Sequence, residues 1–210
     1  MSVMSAREVI ESGWQPGRLA NVSEFIRMIE RPTNDWERFD GLRGFYSRLN
    51  TDEWTPYPVD WMKVFTPIEK AVWGDMRYAA VFMWPQFPVG RYFLDFADPN
   101  RRIAVECDGK EWHDRERDME RDAELRELGW TVYRVPGSSC MRTVEIDWSE
   151  AANEAELTRW LLETSEGLIR SIAVYYYGRQ CLGISREDAV WALKRHASRA
   201  APFIDDGDTN

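Results

Sequence analysis

The stretch from Tyr92 to Gly109 constrains the fold of this chain more than any other part of it. Two short runs that alternate apolar with polar residues, RYFLDFADP and RIAVECDG, flank a turn sequence at residues 98–100. Alternation of this kind predicts half-buried strands, and the tight turn predicts that they form an antiparallel hairpin. Each run also carries acidic residues, which are depleted inside strands. We therefore expect carboxylates on the surface of a small sheet.

The segments on either side of this hairpin predict helices and further strands. Upstream, TPIEKAVWGDMRYA begins with Thr66 and Pro67, which favour a helix start, and the strand-like run AVFMWPQFPV follows it. Downstream, the charged stretch DRERDMERDAELREL predicts a helix that ends at Gly129, and residues 130–135 return to a strand pattern. The order is helix, three strands, helix, strand. It predicts an α/β core with a mixed central sheet.

Both flanks of this core have helical patterns. SAREVIES and NVSEFIRMIE carry apolar residues three and four positions apart, EAELTRWLLETSEGLIRSIAVYYYG reads as one long helix, and a further helix begins at Ser185 with Asp188 completing its cap. The polar, acidic end DDGDTN predicts disorder. We expect a helical flank over 1–65, the core over 66–148, a second helical flank over 149–204 and a disordered tail over 205–210.

The composition narrows the class of protein and the kind of metal site. No apolar run approaches the roughly 20 residues of a membrane helix, and the N-terminus has no secretory pattern, so we expect a cytoplasmic protein without membrane contact. The three cysteines form no CxxC pair and there are only two histidines, which argues against zinc and disulfides. Carboxylates are the remaining ligand class, and they favour hard cations such as Mg²⁺, with Mn²⁺ as a substitute.

The net charge of −9 and the pI near 4.9 argue against the simplest nucleic-acid-binding protein, which has a basic surface. A site that binds metal and cleaves phosphodiesters is itself acidic, however, and basic residues can gather on one face. The core contains a group of basic residues that could form such a face: Arg77, Arg91, Arg101, Arg102, Lys110, Arg115, Arg117 and Arg121.

Three acidic residues of the hairpin are candidate metal ligands. Asp95 lies on the first strand, whereas Glu106 and Asp108 lie two residues apart on the second, so alternation places the last two on one face. Carboxylates gathered on one surface repel each other unless a cation is present. Hydrolysis of a phosphodiester by metal requires such converging oxygens. Asp108-Gly109 is equally a common turn signal, and both interpretations of Asp108 stay open.

The run YFLDFADPNRRIAVECDGKEWH, with RDAELRELGW and TVYRV after it, resembles the nuclease domain of very-short-patch-repair (Vsr)-like endonucleases and their bacterial relatives. These proteins belong to the PD-(D/E)XK superfamily. The resemblance covers roughly residues 67–136, about a third of the chain. It implies a restriction-endonuclease-like core, metal-dependent hydrolysis of DNA and products with 5′-phosphates.

The resemblance also assigns residues. It implies that Asp95 and Glu106 bind the metal, that Glu69 is the acidic residue of the first helix, and that Gln86 is a polar residue near the substrate. Glu69 has a second interpretation as a helix cap. The Arg121-Asp122 pair and Arg134 also recur in the pattern, where we interpret them as ion pairs that hold helix against sheet.

The sequence departs from the superfamily pattern at one position. The lysine expected two residues after the second acid is Asp108 here, as in members with the E-x-D-G form. Lys110 could supply the missing charge, or His113 could handle the proton of the attacking water, and this choice stays open. Trp112, which precedes His113, is a candidate for stacking against a base.

Two classes of function follow from these residues. The first is a divalent-metal-dependent DNA endonuclease in which Asp95, Glu106 and Asp108 bind magnesium and Glu69, Lys110 or His113 assists. The second is a non-catalytic or accessory module that keeps the nuclease fold to bind nucleic acid or a partner protein in a larger assembly. The C-terminal helices could dock such a partner or a second copy of the chain.

Overall fold

The computed structural model describes residues 22–48, 58–109, 115–144, 154–181 and 183–198. Its helices and strands follow in the order α1 (Val22–Glu30), α2 (Asp35–Arg48), α3 (Trp61–Val64), α4 (Pro67–Tyr78), β1 (Trp84–Val89), β2 (Tyr92–Asp98), β3 (Ile103–Asp108), α5 (Arg115–Glu127), β4 (Thr131–Pro136), α6 (Gly137–Cys140), α7 (Glu154–Glu163), α8 (Ser165–Tyr177) and α9 (Arg186–His196). The helix, three strands, helix, strand order predicted for the core is therefore present in α4 to β4.

The described residues fall into two compact units, while the predicted boundaries at 65/66 and 148/149 stay predictions. Of the described residues, 22–48, 58–66 and 84–102 belong to the first unit, and 67–83, 103–109, 115–144, 154–181 and 183–198 belong to the second. Strand pairing is antiparallel in the first unit and parallel in the second, which agrees with an α/β class that uses both senses of pairing. Within the described ranges, no helix is long and apolar enough to cross a membrane.

In the first unit a pair of helices packs beside a strand hairpin. α1 has an apolar face that buries Phe25, Met28 and Ile29, and the ring of Phe25 lies where a Cβ at Gly44 of α2 would be. Strand β1 pairs with β2 from Trp84↔Ala97 to Val89↔Tyr92. The buried Tyr46 of α2 donates a hydrogen bond to the carbonyl of Pro85. Helix pair and hairpin are thereby held together.

In the second unit β3 and β4 form a parallel pair, with Ile103 opposite Thr131 and Asp108 opposite Pro136. Parallel neighbours need a long crossover connection, usually helical, and the 13-residue helix α5 lies in this one. Leu125 of α5 is fully buried. Met119 and Leu128 of the same segment are exposed, so α5 packs on the pair through a narrow apolar contact.

The prediction of one long C-terminal helix is wrong, because two helices, α7 and α8, occupy that stretch. Thr164 adopts extended backbone angles, φ −127° and ψ 148°, and its side chain accepts a hydrogen bond from the backbone N–H of Gly167. An extended N-cap of this kind begins a new helix. The helices pack closely at the break: a Cβ at Gly167 would lie 2.4 Å from the carbonyl oxygen of Trp160.

Replacement of Gly167 by alanine is expected to lower the free energy of unfolding by about 2 kcal/mol or more. The new methyl group would meet backbone atoms of Trp160 and Leu161, which cannot move without separating α7 from α8. Gly74 offers a matched control, because it is exposed within α4 and a Cβ there meets nothing within 4 Å. Gly74→Ala should raise stability by about 0.5–1 kcal/mol. Urea titration of both variants tests this, and equal effects would contradict the close packing.

Helix α9 begins as predicted. Ser185 accepts from the backbone of Asp188, whose side chain accepts in return from the backbone of Ser185. Its last turn is attached to β4, because Ser198 N donates to the carbonyl of Val132 at 2.8 Å and Ala197 forms a β-bridge with Tyr133. The C-terminal flank therefore extends the edge of the parallel strand pair.

Asp75 of α4 is a half-buried acid at the contact with α8. The hydroxyl of Ser165 donates to its Oδ2 at 2.6 Å. The pKa of Asp75 is raised from its ordinary value of 3.8 to about 6, chiefly by burial and also by the charge of Glu166, against the lowering effects of the bond from Ser165 and the charge of Arg170. The folded chain therefore holds this proton more tightly than the unfolded chain does.

A carboxyl whose pKa is raised on folding contributes stability that is fully present below about pH 4 and is lost as the pH rises through about 6. We therefore expect Asp75→Asn to unfold like the parent chain near pH 4 and to be more stable by about 1 kcal/mol near pH 7.5, after allowance for solvent screening. Chemical denaturation at both pH values measures the difference. A gap between variant and parent that does not change with pH would contradict the assignment.

Candidate functional site

Two acidic residues lie at the carboxyl end of β3 in the second unit. Glu106 is buried, with 5% of its surface exposed, and Asp108 is half-buried. Because side chains alternate along a strand, the two project from the same face. A buried carboxylate is costly without a partner. The contacts of these two acids therefore determine what this end of the strand can do.

The partner of Glu106 is Arg121 of α5. Its Nη2 donates to Oε1 of Glu106 at 2.9 Å, and both side chains are largely removed from solvent. A hydrogen bond between charged groups in such a place is stronger than an exposed one. Helix α5 therefore fixes the carboxylate of Glu106 from above the sheet face.

Arg134 of β4 joins two further acids. Its Nη1 donates to Oδ1 of Asp108 and its Nη2 donates to Oδ1 of Asp122, both at 2.8 Å. Although burial opposes the charged form, the hydrogen bond to Asp122 and the charges of Asp108, Asp122 and Glu106 raise the pKa of Arg134 above its ordinary value. The predicted role of these residues as ion pairs between helix and sheet is confirmed.

These five residues are called the acid–arginine cluster below: Glu106, Asp108, Arg121, Asp122 and Arg134. It has three carboxylates and two guanidinium groups, so its formal charge is −1. Parallel register explains its assembly, because Arg134 lies directly opposite Glu106 while the crossover helix brings Arg121 and Asp122 over the same face.

Asp95 lies on β2 in the first unit, where its neighbour is Gln86 of β1. The side-chain amide of Gln86 donates to Oδ1 of Asp95 at 3.2 Å. Gln86 has a positive φ of 49°, an uncommon backbone angle for a residue other than glycine, and lies between the paired positions Pro85↔Phe96 and Phe87↔Leu94. The structure therefore brings Gln86 and Asp95 together, while the roles predicted for them stay predictions.

The other predicted site residues fall into two groups. Glu69 lies in the first turn of α4 and is buried, with 8% of its surface exposed. Lys110, Trp112 and His113 lie outside the described residues. The choice between Lys110 and His113 as the group that assists the attacking water is therefore still a prediction.

Glu106 and Asp108 are of the residue types that bind a hard cation. In the described part of the second unit, however, β3 supplies only these two acids as ligands. Mg²⁺ in proteins commonly takes one or two carboxylates and keeps several waters, and Glu106 with Asp108 meets that requirement. Among the described residues, however, no group of three or more histidine, cysteine or acidic side chains is close enough to hold a metal. A cation bound here would share Glu106 and Asp108 with the arginines that now contact them.

A groove opens beside the cluster within the second unit, between α5 and the last turn of α9. Its volume is about 690 Å³. Its lining includes acids and bases together with small apolar side chains: Asp108, Asp118, Met119, Asp122, Ala123, Arg126, Arg134, Pro136, Arg195, His196, Ala197 and Ser198. This space is called the α5–α9 groove below. Its α9 wall was not predicted from the sequence, because nothing in the pattern of a surface helix indicates which strand it meets.

Comparison with known proteins shows what the core is similar to. Residues 68–153 match the family model REase_MTES_1575. That family is restriction endonuclease-like and is consistent with the PD-(D/E)XK superfamily. The segment that contains Glu69, Asp95 and the acid–arginine cluster is therefore similar to a restriction endonuclease-like family, as the motifs predicted. The finer resemblance to Vsr-like endonucleases stays a prediction.

One curated relative is similar over a shorter segment. It is described as an uncharacterized protein of Haemophilus influenzae and is 36% identical over 63 residues, which are 29% of this chain and 52% of the relative. The chain thus spans about half the length of that protein. No solved structure matches.

Proposed function

We propose that the protein is a divalent-metal-dependent endonuclease that hydrolyses phosphodiester bonds of DNA, with Asp95 and Glu106 as ligands of Mg²⁺ and Asp108 as a further ligand. The observation that carries the proposal is Glu106, a buried carboxylate at the end of a strand inside the segment that matches a restriction endonuclease-like family. Buried acids at such a position are costly for the fold and are typical of sites that bind cations.

The chain's own residues account for positioning in this proposal. When bound, a divalent cation supplies charge neutralisation at the phosphate and an activated water. Arg121 fixes the carboxylate of Glu106, and Arg134 fixes that of Asp108, so both acids are oriented before substrate arrives. Orientation in advance lowers the barrier to an in-line attack.

Arg121 and Arg134 also place positive charge where the superfamily pattern has a lysine. Both guanidinium groups contact the acids of β3, and Asp108 itself occupies the expected lysine position. Arginine stays protonated and cannot act as a base. The proton of the attacking water is therefore assigned to His113 or Lys110, as the sequence suggests, while the arginines hold the two acids of β3 in position.

The negative charge is unevenly distributed along the chain. The described ranges hold 23 of the 27 basic and 24 of the 36 acidic side chains, so they are close to neutral. The remaining residues hold four basic and twelve acidic ones and account for most of the net charge of −9. Residues 68–153, which match the family model, hold 12 basic and 17 acidic side chains, so this segment is itself acidic. DNA would therefore be contacted through local groups of basic side chains and not through the overall charge.

A second candidate, favoured by one observation, is an accessory module with the nuclease fold but without turnover. Glu106 and Asp108 each accept a charge-assisted hydrogen bond from arginine, which satisfies both acids without any cation. In that case the cluster would be structural, and the protein would bind nucleic acid or a partner through other surfaces.

A cleavage assay separates the two candidates. The purified chain is incubated with supercoiled plasmid and with end-labelled duplexes in Mg²⁺, in Mn²⁺ and in EDTA. We expect nicked or linear products with 5′-phosphates in either metal and none in EDTA. In parallel, thermal unfolding should shift upward with Mn²⁺ if the cation binds the folded chain. No cleavage and no thermal shift in either metal would reject the endonuclease and favour the accessory module.

A further inference from the structure

We propose that the α5–α9 groove binds the phosphodiester backbone of a DNA strand, with Arg126 of α5 and Arg195 of α9 donating to phosphate oxygens from opposite walls. This inference rests on the proposed function, because it assigns a strand-binding surface to the same site. It goes beyond the family match as well, since α9 lies outside residues 68–153.

The arrangement of charges in the groove, rather than their sum, suits an anion, because its lining holds three acids and three arginines. The acids Asp108 and Asp122 share Arg134, which offsets one of their two charges and keeps that arginine against them. Arg126 and Arg195 are exposed on the two walls, with Asp118 as the remaining acid of the lining. Exposed guanidinium groups on two sides of one space match the oxygens of a phosphate, which they bind through paired N–H donors.

Arg195 is held in place rather than free to rotate. Its guanidinium lies 3.8 Å from the ring centre of Trp191, and its Nη1 donates to the carbonyl of the same residue at 3.1 Å. A guanidinium has five N–H donors and this bond uses one of them. Stacking on an indole leaves the charge in place, and it reduces the conformational entropy lost when a phosphate binds.

The wall that carries Arg195 is fixed to β4. The next residue, His196, is buried and its Nε2 lies 3.0 Å from the carbonyl of Leu161, while its Nδ1 lies 3.4 Å from the carbonyl of Arg134. Ser198 continues the attachment through its bond to Val132. The position of this wall is therefore set by its hydrogen bonds to β4 and α7.

The groove has the volume of a small-ligand site and a partly apolar lining, so it has room for a short part of a strand. A volume of about 690 Å³ lies within the range of roughly 300–1,000 Å³ typical of sites that bury small ligands. Met119 is 71% exposed, and with Ala123 and Pro136 it gives the groove apolar surface that can contact sugar or base. The groove also reaches Asp108, so a strand bound there passes directly beside the acid–arginine cluster.

The test compares single arginine variants in a binding assay that does not depend on cleavage. A fluorescein-labelled 20-base-pair duplex is titrated in EDTA with Arg126→Gln, Arg195→Gln and the double variant at several salt concentrations. Arg186→Gln is the matched control, since Arg186 begins the same helix, lies over the ring of Tyr175 and is absent from the lining of the groove. Arg126→Glu, a reversal at an exposed helix position, serves as a second variant that should fold.

We expect each glutamine variant to weaken binding by about 3-fold to 10-fold and to reduce the slope of log K against log salt by about one, because each removes one phosphate contact. The double variant should show both losses of affinity together. Arg126→Glu should lose more affinity than Arg126→Gln, whereas the affinity of Arg186→Gln should change by less than twofold. Absence of binding by the parent chain, or groove variants that match the control, would overturn the inference.

The result is separable from that for the endonuclease. Binding that depends on Arg126 and Arg195 in a chain that never cleaves would uphold the groove and reject the endonuclease. Metal-dependent cleavage with a KM that is unchanged in the double variant would uphold the endonuclease and reject the groove. The thermal unfolding temperature of each variant is compared with that of the parent chain. An unchanged temperature shows that lost binding reflects lost contacts and not unfolding.

Discussion

Glu106→Gln is expected to lower metal-dependent DNA cleavage by about 100-fold or more while leaving the protein folded. Glutamine has the shape of glutamate and can still accept the hydrogen bond from Arg121, but it is a poor ligand for a hard cation. Loss of several kcal/mol of charge stabilisation in the transition state corresponds to a rate change of this size. Initial rates of plasmid nicking in saturating Mg²⁺ measure the effect, and Mn²⁺ should restore part of the rate if the defect is in metal binding.

Two further variants make this result specific. Asp95→Asn should show a loss of similar size, because its amide can still contact Gln86 while its charge is removed. Glu163→Gln is the matched control, since Glu163 is also an acid paired with arginines, Arg142 and Arg159, but lies on α7. It should cleave at the parental rate. Equal rates for Glu106→Gln and Glu163→Gln would reject Glu106 as a ligand.

Local chemistry explains why much of the fold was predictable. The turn after β2 depends on Asp98, whose Oδ1 accepts from the backbone of Asn100 and Arg101, and that signal is contained in three consecutive residues. The capping box of α9 is equally local, since Ser185 and Asp188 satisfy each other. Patterns whose cause lies within one or two turns of chain can be read from sequence alone.

The break between α7 and α8 shows where such reading fails. Apolar periodicity continues through Thr164, so the sequence alone predicts one helix. The decisive facts are tertiary: the hydroxyl of Thr164 donates back to the carbonyl of Trp160, and Gly167 allows backbone to approach backbone. A threonine inside a helical pattern is compatible with either outcome, and packing selects between them.

In the candidate site, too, some residues could be predicted from the sequence and others could not. The acids Glu106 and Asp108 could be named in advance, because alternation places both on one strand face, where like charges need opposite charge beside them. Their partners depend on the parallel register, which sets Arg134 opposite Glu106, and on a crossover helix that carries Arg121. The arginines were expected to brace helix against sheet, but which acid each one holds is a matter of register that the sequence does not contain.

Arg134→Met is expected to lower the free energy of unfolding by about 3 kcal/mol, the largest loss of stability among the substitutions considered. Removal of the guanidinium leaves Asp108 and Asp122 without the positively charged group that now donates a hydrogen bond to each of them. Breaking a largely buried ion pair by removing one partner typically costs about 3–5 kcal/mol, and the partial exposure of Asp108 places the expected value at the lower end. Arg134→Lys should lose less, because it keeps the charge but not the two-pronged contact.

Arg142→Met provides the control for this prediction, because Arg142 and Glu163 form an ion pair whose side chains are about two-fifths exposed. An exposed pair contributes little, so this variant should change stability by about 0.5 kcal/mol or less. Urea titrations of the three variants give the comparison. If Arg134→Met were no more destabilising than Arg142→Met, Asp108 and Asp122 would have to be well solvated without Arg134. The cluster could not then be what orients Asp108 for a cation, and the geometric support for that residue as a ligand would be lost.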